Sequence, residues 1–326
     1  MRRLLITLLI FLVGLFTSDR LGGVFMQWVN SHSNDVIAPK LQYISREVHE
    51  DIILMGASRC HHHYIPSIIS DSLHMSVYNA GIGGANNIYS HYTVLRHILS
   101  RHVPKVICLE VMPSDYNQQS DPFAVLSFFA PLFGTNADAD SIFHLNDSYW
   151  RYQLSHLYRY NAKAPSNLWG LLLNRQNDSQ QGYTPLPRPS AFPKVRTFES
   201  IDTSVDTLKL EYIRRFAHLC RENDIRLIFT VSPKYTEVSP HHYDILRRLA
   251  SELSIPFLDY HTSGLYSDHP EYFKDNVHLW HEGAQLFSSL FAHDLQQALS
   301  LSSSPMMLRR ALSPSTFRSL LSHRRR

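Results

Sequence analysis

Apolar positions along the chain follow two alternating rhythms. Short unbroken runs at Asp51-Ile52-Ile53-Leu54-Met55 (closed by Gly56), Met75 to Asn79, Lys105 to Val111, Arg226 to Val231 and Pro256 to Tyr260 read as strands covered on both faces. Between them the spacing becomes helical. Ile88, Tyr92, Leu95 and Leu99 form one stripe ahead of Pro104, and Leu208, Tyr212, Phe216 and Leu219 a second. Ser239-Pro240 offers an N-cap and a first-turn proline for a helix carrying Leu246, Leu249 and Leu253; Glu282 to Leu299 is the last helix. A shorter helix is expected through Tyr64–Ser70. Alternating strands and helices predict an α/β fold with a parallel, doubly wound sheet of about five strands.

Three stretches break the rhythm. Residues 116–200 are rich in aromatics, Asn and Pro, including Pro185-Leu186-Pro187-Arg188-Pro189, and show no strand pattern. They read as a long insertion after the third strand, where such sheets carry substrate-shaping loops. Residues 301–326, with Ser302-Ser303-Ser304-Pro305 and scattered Arg, read as a basic disordered tail. At the other end, Arg2-Arg3 precede an apolar run from Leu4 to Phe16, then Thr17-Ser18-Asp19-Arg20 and a second apolar patch to Val29. Residues 1–30 are therefore expected to be an uncleaved membrane anchor, since no small-x-small cleavage site or lipid-attachment cysteine follows the run. A cleaved signal, or a buried first helix of a cytosolic protein, are the alternatives. The leading arginines favour a cytoplasmic N-terminus. That leaves a single folded domain over 48–300 outside the cell membrane, periplasmic in a Gram-negative cell.

Composition supports a folded core, with 44% hydrophobic and 18% charged residues. The net charge of +3 gathers largely at the two ends, so no basic face for nucleic acid is expected. Cys60, Cys108 and Cys220 are odd in number and without zinc-like spacing, and read as small core residues. Twenty histidines invite a metal reading. His61-His62-His63 would diverge by about 100° per residue on a helix and cannot converge on one ion. His278, His281 and Asp275 remain a possible zinc set, but the preferred reading has no metal.

Candidate chemistry falls at three strand-to-helix junctions. Gly56-Ala57-Ser58-Arg59 follows the first strand, which puts Ser58 at the carboxyl edge of the sheet where open α/β folds bind ligands. Asn79-Ala80-Gly81-Ile82-Gly83-Gly84-Ala85-Asn86-Asn87 joins the second strand to a helix, and its glycines let backbone N–H groups approach a ligand. Asp275-Asn276-Val277-His278 precedes the last helix. A serine nucleophile needs a base, and the base needs an acceptor on its second nitrogen; Asp275 can serve His278 within one loop turn. His62 and His63 would line the pocket. Arg59 would bind an anionic group of the substrate or form a salt bridge.

In these three blocks the chain resembles the SGNH/GDSL hydrolase family, over roughly residues 50–299. The resemblance implies a flavodoxin-like three-layer α/β/α fold, a Ser58-His278-Asp275 triad and an oxyanion hole built from the amides of Ser58 and Gly84, with no cofactor. Ala57 stands where the family usually has Asp. Its third block, Gly-x-Asn-Asp, is matched by Glu110-Val111-Met112-Pro113-Ser114-Asp115, so Ser114 replaces the asparagine that donates to the oxyanion. Ser114, Asn86 or Asn87 is expected to supply that donor, or the enzyme is a slower catalyst. The expected function is a membrane-anchored serine esterase that removes acyl groups, chiefly O-acetyl, from an extracytoplasmic cell-surface glycan. Two alternatives stay open: an O-acyltransferase working with a membrane acyltransferase partner, and a glycan-binding module with a vestigial site.

Overall fold

The computed structural model describes residues 1–33, 37–162, 164–173, 180–200 and 203–300. The basic tail at 301–326 lies outside the described residues. Five strands form the main sheet: β1 (Ile52–Met55), β2 (Val77–Asn79), β3 (Val106–Glu110), β5 (Arg226–Val231) and β7 (Phe257–Asp259). All are parallel, in the spatial order β2-β1-β3-β5-β7. Two short strands, β4 (Thr197–Glu199) and β6 (Thr236–Val238), pair separately as a small parallel ribbon.

The continuous apolar runs become strands because both faces are buried. Ile53, Met55, Ile107, Leu109 and Phe229 point into one core, against α2 (Ile37–Arg46), α5 (Ile88–Leu99) and the helices Thr207–Glu222 and Asp244–Glu252. Their neighbours Ile52, Leu54, Val106, Cys108 and Ile228 point into the other core. That second core is closed by α3 (Ser58–His63), α4 (Pro66–Leu73) and the helix His281–Ser300. The result is the three-layer α/β/α arrangement with a five-stranded parallel sheet. The order in which strands are added reverses between β1 and β3, which makes their carboxyl ends the crevice where such sheets take ligands.

Two local expectations are corrected. Pro240 does not start a helix. Ser239 Oγ accepts the His241 N–H and its carbonyl accepts that of His242, which makes a turn, and the helix begins at Asp244. The helix expected at Tyr64–Ser70 begins later, as α4 with Pro66 fixing its first turn, and Tyr64 and Ile65 instead link it to the separate α3. Residues 116–200 do form an insertion after β3. It is a string of short helical segments that returns through a tight turn at Gln180–Tyr183 and the exposed strand β4.

The two N-terminal apolar patches are one helix, α1 (Arg2–His32), the only described helix long and apolar enough to cross a membrane. The Thr17-to-Arg20 interruption does not break it. Its first half is exposed from Leu4 to Phe16, whereas Gly23, Met26 and Val29 are buried against the insertion. The α2 helix that follows has no counterpart among the sequence expectations. Leu41 and Ile44 are buried, and so is Lys40 beside them.

Candidate active site

The nucleophile candidate sits where β1 gives way to α3. Gly56 takes a φ of +153°, and a Cβ there would come within 2.7 Å of Glu110 Cβ and 2.8 Å of Cys60 Cβ, so only glycine makes this turn. Ala57 is the N-cap and Ser58 the first helical residue, half-buried. Ser58 Oγ lies 2.9 Å from His278 Nε2. On the far side of the ring, Nδ1 lies 3.1 Å from each oxygen of Asp275. With Nδ1 donating its proton to the carboxylate, Nε2 is left as an acceptor for the serine hydroxyl. Asp275 is half exposed at its side chain, yet held in place: its Oδ1 also accepts the N–H groups of Val277 at 2.7 Å and His278 at 2.8 Å. Partial burial raises its pKa, but those two N–H groups and the His278 ring outweigh it and leave the carboxyl below its usual range.

The glycine block forms the opposite wall. Ala85 N–H bonds to Ile82 O at 3.1 Å across a turn with Gly84 at φ +85°, a conformation that suits glycine. Among the described residues, neither the Ser58 nor the Gly84 amide hydrogen-bonds within the protein. The block is fixed to α3 by Asn79. Its buried amide donates to Cys60 O at 2.7 Å and Tyr64 O at 2.9 Å, and its oxygen accepts Gly81 N–H at 3.0 Å.

The other expected residues part company. Ser114 is not a free donor: its hydroxyl donates to Asn86 O at 2.6 Å, which ties the third loop to the glycine block. Asn87 is buried and committed. Its oxygen caps α5 through the Tyr89 and Ser90 amides, and its nitrogen donates to Gln119 and to Pro122 O. Asn86 is exposed, and its side chain makes no hydrogen bond among the described residues.

Arg59 does not face a substrate. It is buried, pairs with Glu110 at 3.1 Å and donates to Ser232 O at 3.2 Å. The same Glu110 carboxylate accepts Tyr64 OH and the Ser232 amide and hydroxyl, so a charged residue at the end of an apolar strand is fully satisfied inside. His63 is equally internal: its Nδ1 lies 2.8 Å from Ser232 Oγ and its Nε2 accepts the Leu279 N–H at 3.0 Å. Its ring meets that of His278 edge-on at 6.2 Å between centroids, so two of the three histidines border the pair, and the more open of these is His62. It is half-buried, donates from Nδ1 to Thr184 O at 2.8 Å, and meets the His278 ring edge-on at 5.8 Å between centroids. Burial lowers its pKa to about 4, so at neutral pH it carries no charge.

The possible zinc set does not assemble either. His281 is engaged by Tyr183 OH at 2.9 Å and by Gln285 at 3.2 Å, not by His278. The insertion thereby reaches the site. Asn79 N–H bonds to Gln181 O, Thr184 N–H to His61 O, and His281 N–H to Leu186 O. Residues 181–186 thus run from the glycine block past α3 to the start of the last helix. Gly182 fits at the tightest point, where a Cβ would come within 2.0 Å of Asn79 O.

Three residues were not singled out from the sequence and matter here. Lys40 donates to Gly81 O at 2.5 Å and to His61 Nδ1 at 2.7 Å, beneath the glycine block. Its signal was a lysine beside the apolar Ile37, Leu41 and Ile44 stripe of α2. Glu110 was visible as a charge closing an apolar strand. Ser232 carried no signal.

No protein-family profile and no curated protein matches the chain. Among solved structures, a Bacteroides fragilis NCTC 9343 protein described as an acylhydrolase is similar at 15% identity and a TM-score of 0.42, over 79% of this chain and 94% of that one. The acetyl xylan esterase AlAXEase is similar at 13% identity and a TM-score of 0.38, over 77% of this chain and 100% of that one.

Proposed function

We propose that this protein is a membrane-anchored serine esterase that removes acyl groups, O-acetyl foremost, from an extracytoplasmic glycan. The observation that carries the reading is the unbroken line from Ser58 Oγ through both nitrogens of His278 to Asp275. Ser58 Oγ attacks the ester carbonyl as its proton passes to His278 Nε2, and Asp275 stabilises the imidazolium. The Ser58 and Gly84 amides donate to the oxyanion. Collapse of the tetrahedral adduct expels the sugar alkoxide, which takes the proton from His278 and leaves an acyl-serine. Water then gives a proton to His278, attacks the acyl carbon and releases the acid, and the proton returns to Ser58. With Ser114 and Asn87 committed elsewhere, the hole has two backbone donors, with Asn86 as the candidate third.

Labelling of the full chain by a fluorophosphonate tests this. The wild type should label and Ser58→Ala should not; an unlabelled wild type overturns the reading.

A second reading is favoured by the docking of α1 on the insertion, which keeps the site next to a membrane. There the acyl-serine would be resolved by a sugar hydroxyl in place of water, with a membrane partner supplying the acyl group. A labelled acetyl donor separates the two, because hydrolysis yields free acetate and transfer yields acetylated glycan. Glycan binding that survives Ser58→Ala, with no ester turned over, would point to a binding module instead.

A further inference from the structure

The insertion holds the second half of α1 through contacts that fall at one level. Asp19 accepts the amides of His156 at 2.9 Å and Leu157 at 3.3 Å and the hydroxyl of Ser155, while Arg20 donates to Leu154 O at 3.3 Å. Gly22 and Gly23 let the two segments touch: a Cβ on Gly23 would lie 2.5 Å from His156 Cβ, and one on Gly22 3.4 Å from Leu157. A helix rises about 1.5 Å per residue, so a hydrocarbon layer of about 30 Å entered just after Arg3 is left close to Gly23. The docked loop therefore lies where α1 leaves the bilayer. Asp19 falls just inside, where an unpaired carboxylate is disfavoured. The insertion supplies the donors that such a position lacks.

The loop carries apolar side chains out to the same level. Leu154 is 64% exposed, Trp150 52% and Leu157 45%, and Trp150 and Leu154, four apart on one short helix, share a face. At the same level of α1, on the side turned away from the docked loop, Leu21 and Phe25 are 66% and 54% exposed. The Arg151 guanidinium lies over the Trp150 ring at 5.5 Å, the aromatic-and-arginine pairing of a membrane–water boundary. This patch continues the surface of the candidate span, which selects lipid as its occupant over a protein.

We propose that residues 149–157 of the insertion are seated in the leaflet on the domain's side, as a second contact that fixes the orientation of the catalytic domain on its anchor. The proposal rests on α1 being a membrane anchor and is independent of the ester chemistry.

The four tryptophans, Trp28, Trp150, Trp169 and Trp280, allow a direct test. Full chains retaining one tryptophan, the rest changed to Phe, are reconstituted in phosphatidylcholine vesicles with or without bromine on the upper acyl chain. Trp150 should lose most of its emission in brominated lipid, as should a span reporter, Phe16→Trp in a chain whose native tryptophans are all Phe, and Trp280, beside the candidate catalytic loop, should keep its own. Unchanged Trp150 emission overturns the proposal, as does equal quenching of Trp280, which would mean the whole domain lies on lipid. If Trp150 is unquenched, the Phe16→Trp reporter shows what else fails. A quenched reporter leaves the anchor standing, and an unquenched one removes it too.

Discussion

His63 Nε2 accepts the backbone N–H of Leu279, the residue after the candidate catalytic His278, at 3.0 Å. The acceptor role fixes the tautomer, so the proton sits on Nδ1 and is donated to Ser232 Oγ. Burial first, then the neighbouring His278, Arg59 and His62, push the His63 pKa well below the usual range and keep it neutral. His63 is thus a positioning residue that acts through the 275–279 loop. His63→Ala orphans the buried Leu279 amide, which should cost about 1–3 kcal/mol. In the folded enzyme kcat should fall while KM stays, because the ester site keeps its shape and the base loses its register. Thermal melts and initial rates on a soluble acetyl ester check both halves. A pure stability loss with kcat intact would reduce His63 to packing.

Asp275→Asn should be more damaging to kcat and nearly silent in stability. The side chain keeps its size and one oxygen for the Val277 and His278 amides. The amide can no longer stabilise an imidazolium, and it can favour the wrong tautomer. A fall of about 10³- to 10⁴-fold in kcat is expected. Deacylation should slow along with acylation, so the share of enzyme held as acyl-serine at steady state should stay close to the wild-type share.

How much of this was legible follows from where the forces act. Runs such as Ile52–Met55 and Val106–Glu110 are read directly, because a strand buried on both faces has to be apolar throughout. The Ser58, Gly84 and Asp275–His278 segments are legible because backbone demands and side-chain chemistry lie within a few residues. What stayed hidden is tertiary. Nothing near Arg59 announces Glu110 as its partner, and nothing near Ser114 says that its hydroxyl is taken by Asn86. β4 is invisible because Thr197 and Phe198 are exposed and its ladder has only three residues. The Ser239-Pro240 misreading has the same root: a capping serine and a proline suit a turn as well as a helix start.

Arg59 offers a direct contest between a structural and a ligand-binding role. Arg59→Ala removes the cation but leaves Glu110, fully buried, with only Tyr64 and Ser232. Breaking one half of such a pair costs about 3–5 kcal/mol. The denaturation midpoint should drop sharply, and restoring neutrality with Glu110→Gln in the same chain should recover part of it. KM of the surviving enzyme should hardly move. A raised KM with stability unchanged would return Arg59 to the substrate.

Lys40 links the segment after α1 to the glycine block. Burial lowers its pKa to about 7, and its ammonium is held by Gly81 O and His61 Nδ1. Lys40→Met keeps the length and the apolar packing of α2 but releases Gly81. Two residues on, Gly83 and Gly84 would lose their fixed placement relative to Ser58. A fall of about tenfold in kcat, with KM and melting temperature near the wild type, is expected from a loosened oxyanion wall. Slower fluorophosphonate labelling by the same factor would place the defect in acylation. Unchanged kinetics would confine Lys40 to the packing of α2.

Acid should unfold this protein from its histidines. His61 and His261 are lowered to about 2, His62 and His97 to about 4, and His63 well below its usual value, each chiefly by burial. Each stays neutral in the fold while the unfolded chain takes up its proton near pH 6.5. A folded pKa below the unfolded one gives stability that is complete above about pH 6.5 and is lost as pH falls towards the folded value. Every such histidine then costs about 1.4 kcal/mol per pH unit below 6.5. Urea midpoints should fall steeply between about pH 6.5 and 4.5. Asp275 is held below the usual carboxyl range and stays ionised across that window, so protonation of this proposed triad carboxylate cannot produce the fall. His97→Phe separates the causes further, since it lies on α5 away from the Ser58–His278 pair. It should make the acid slope shallower by one proton's worth and leave the catalytic rate at neutral pH unchanged. A slope identical to the wild type would mean that His97 is solvated, and the buried-histidine account would fail at that position.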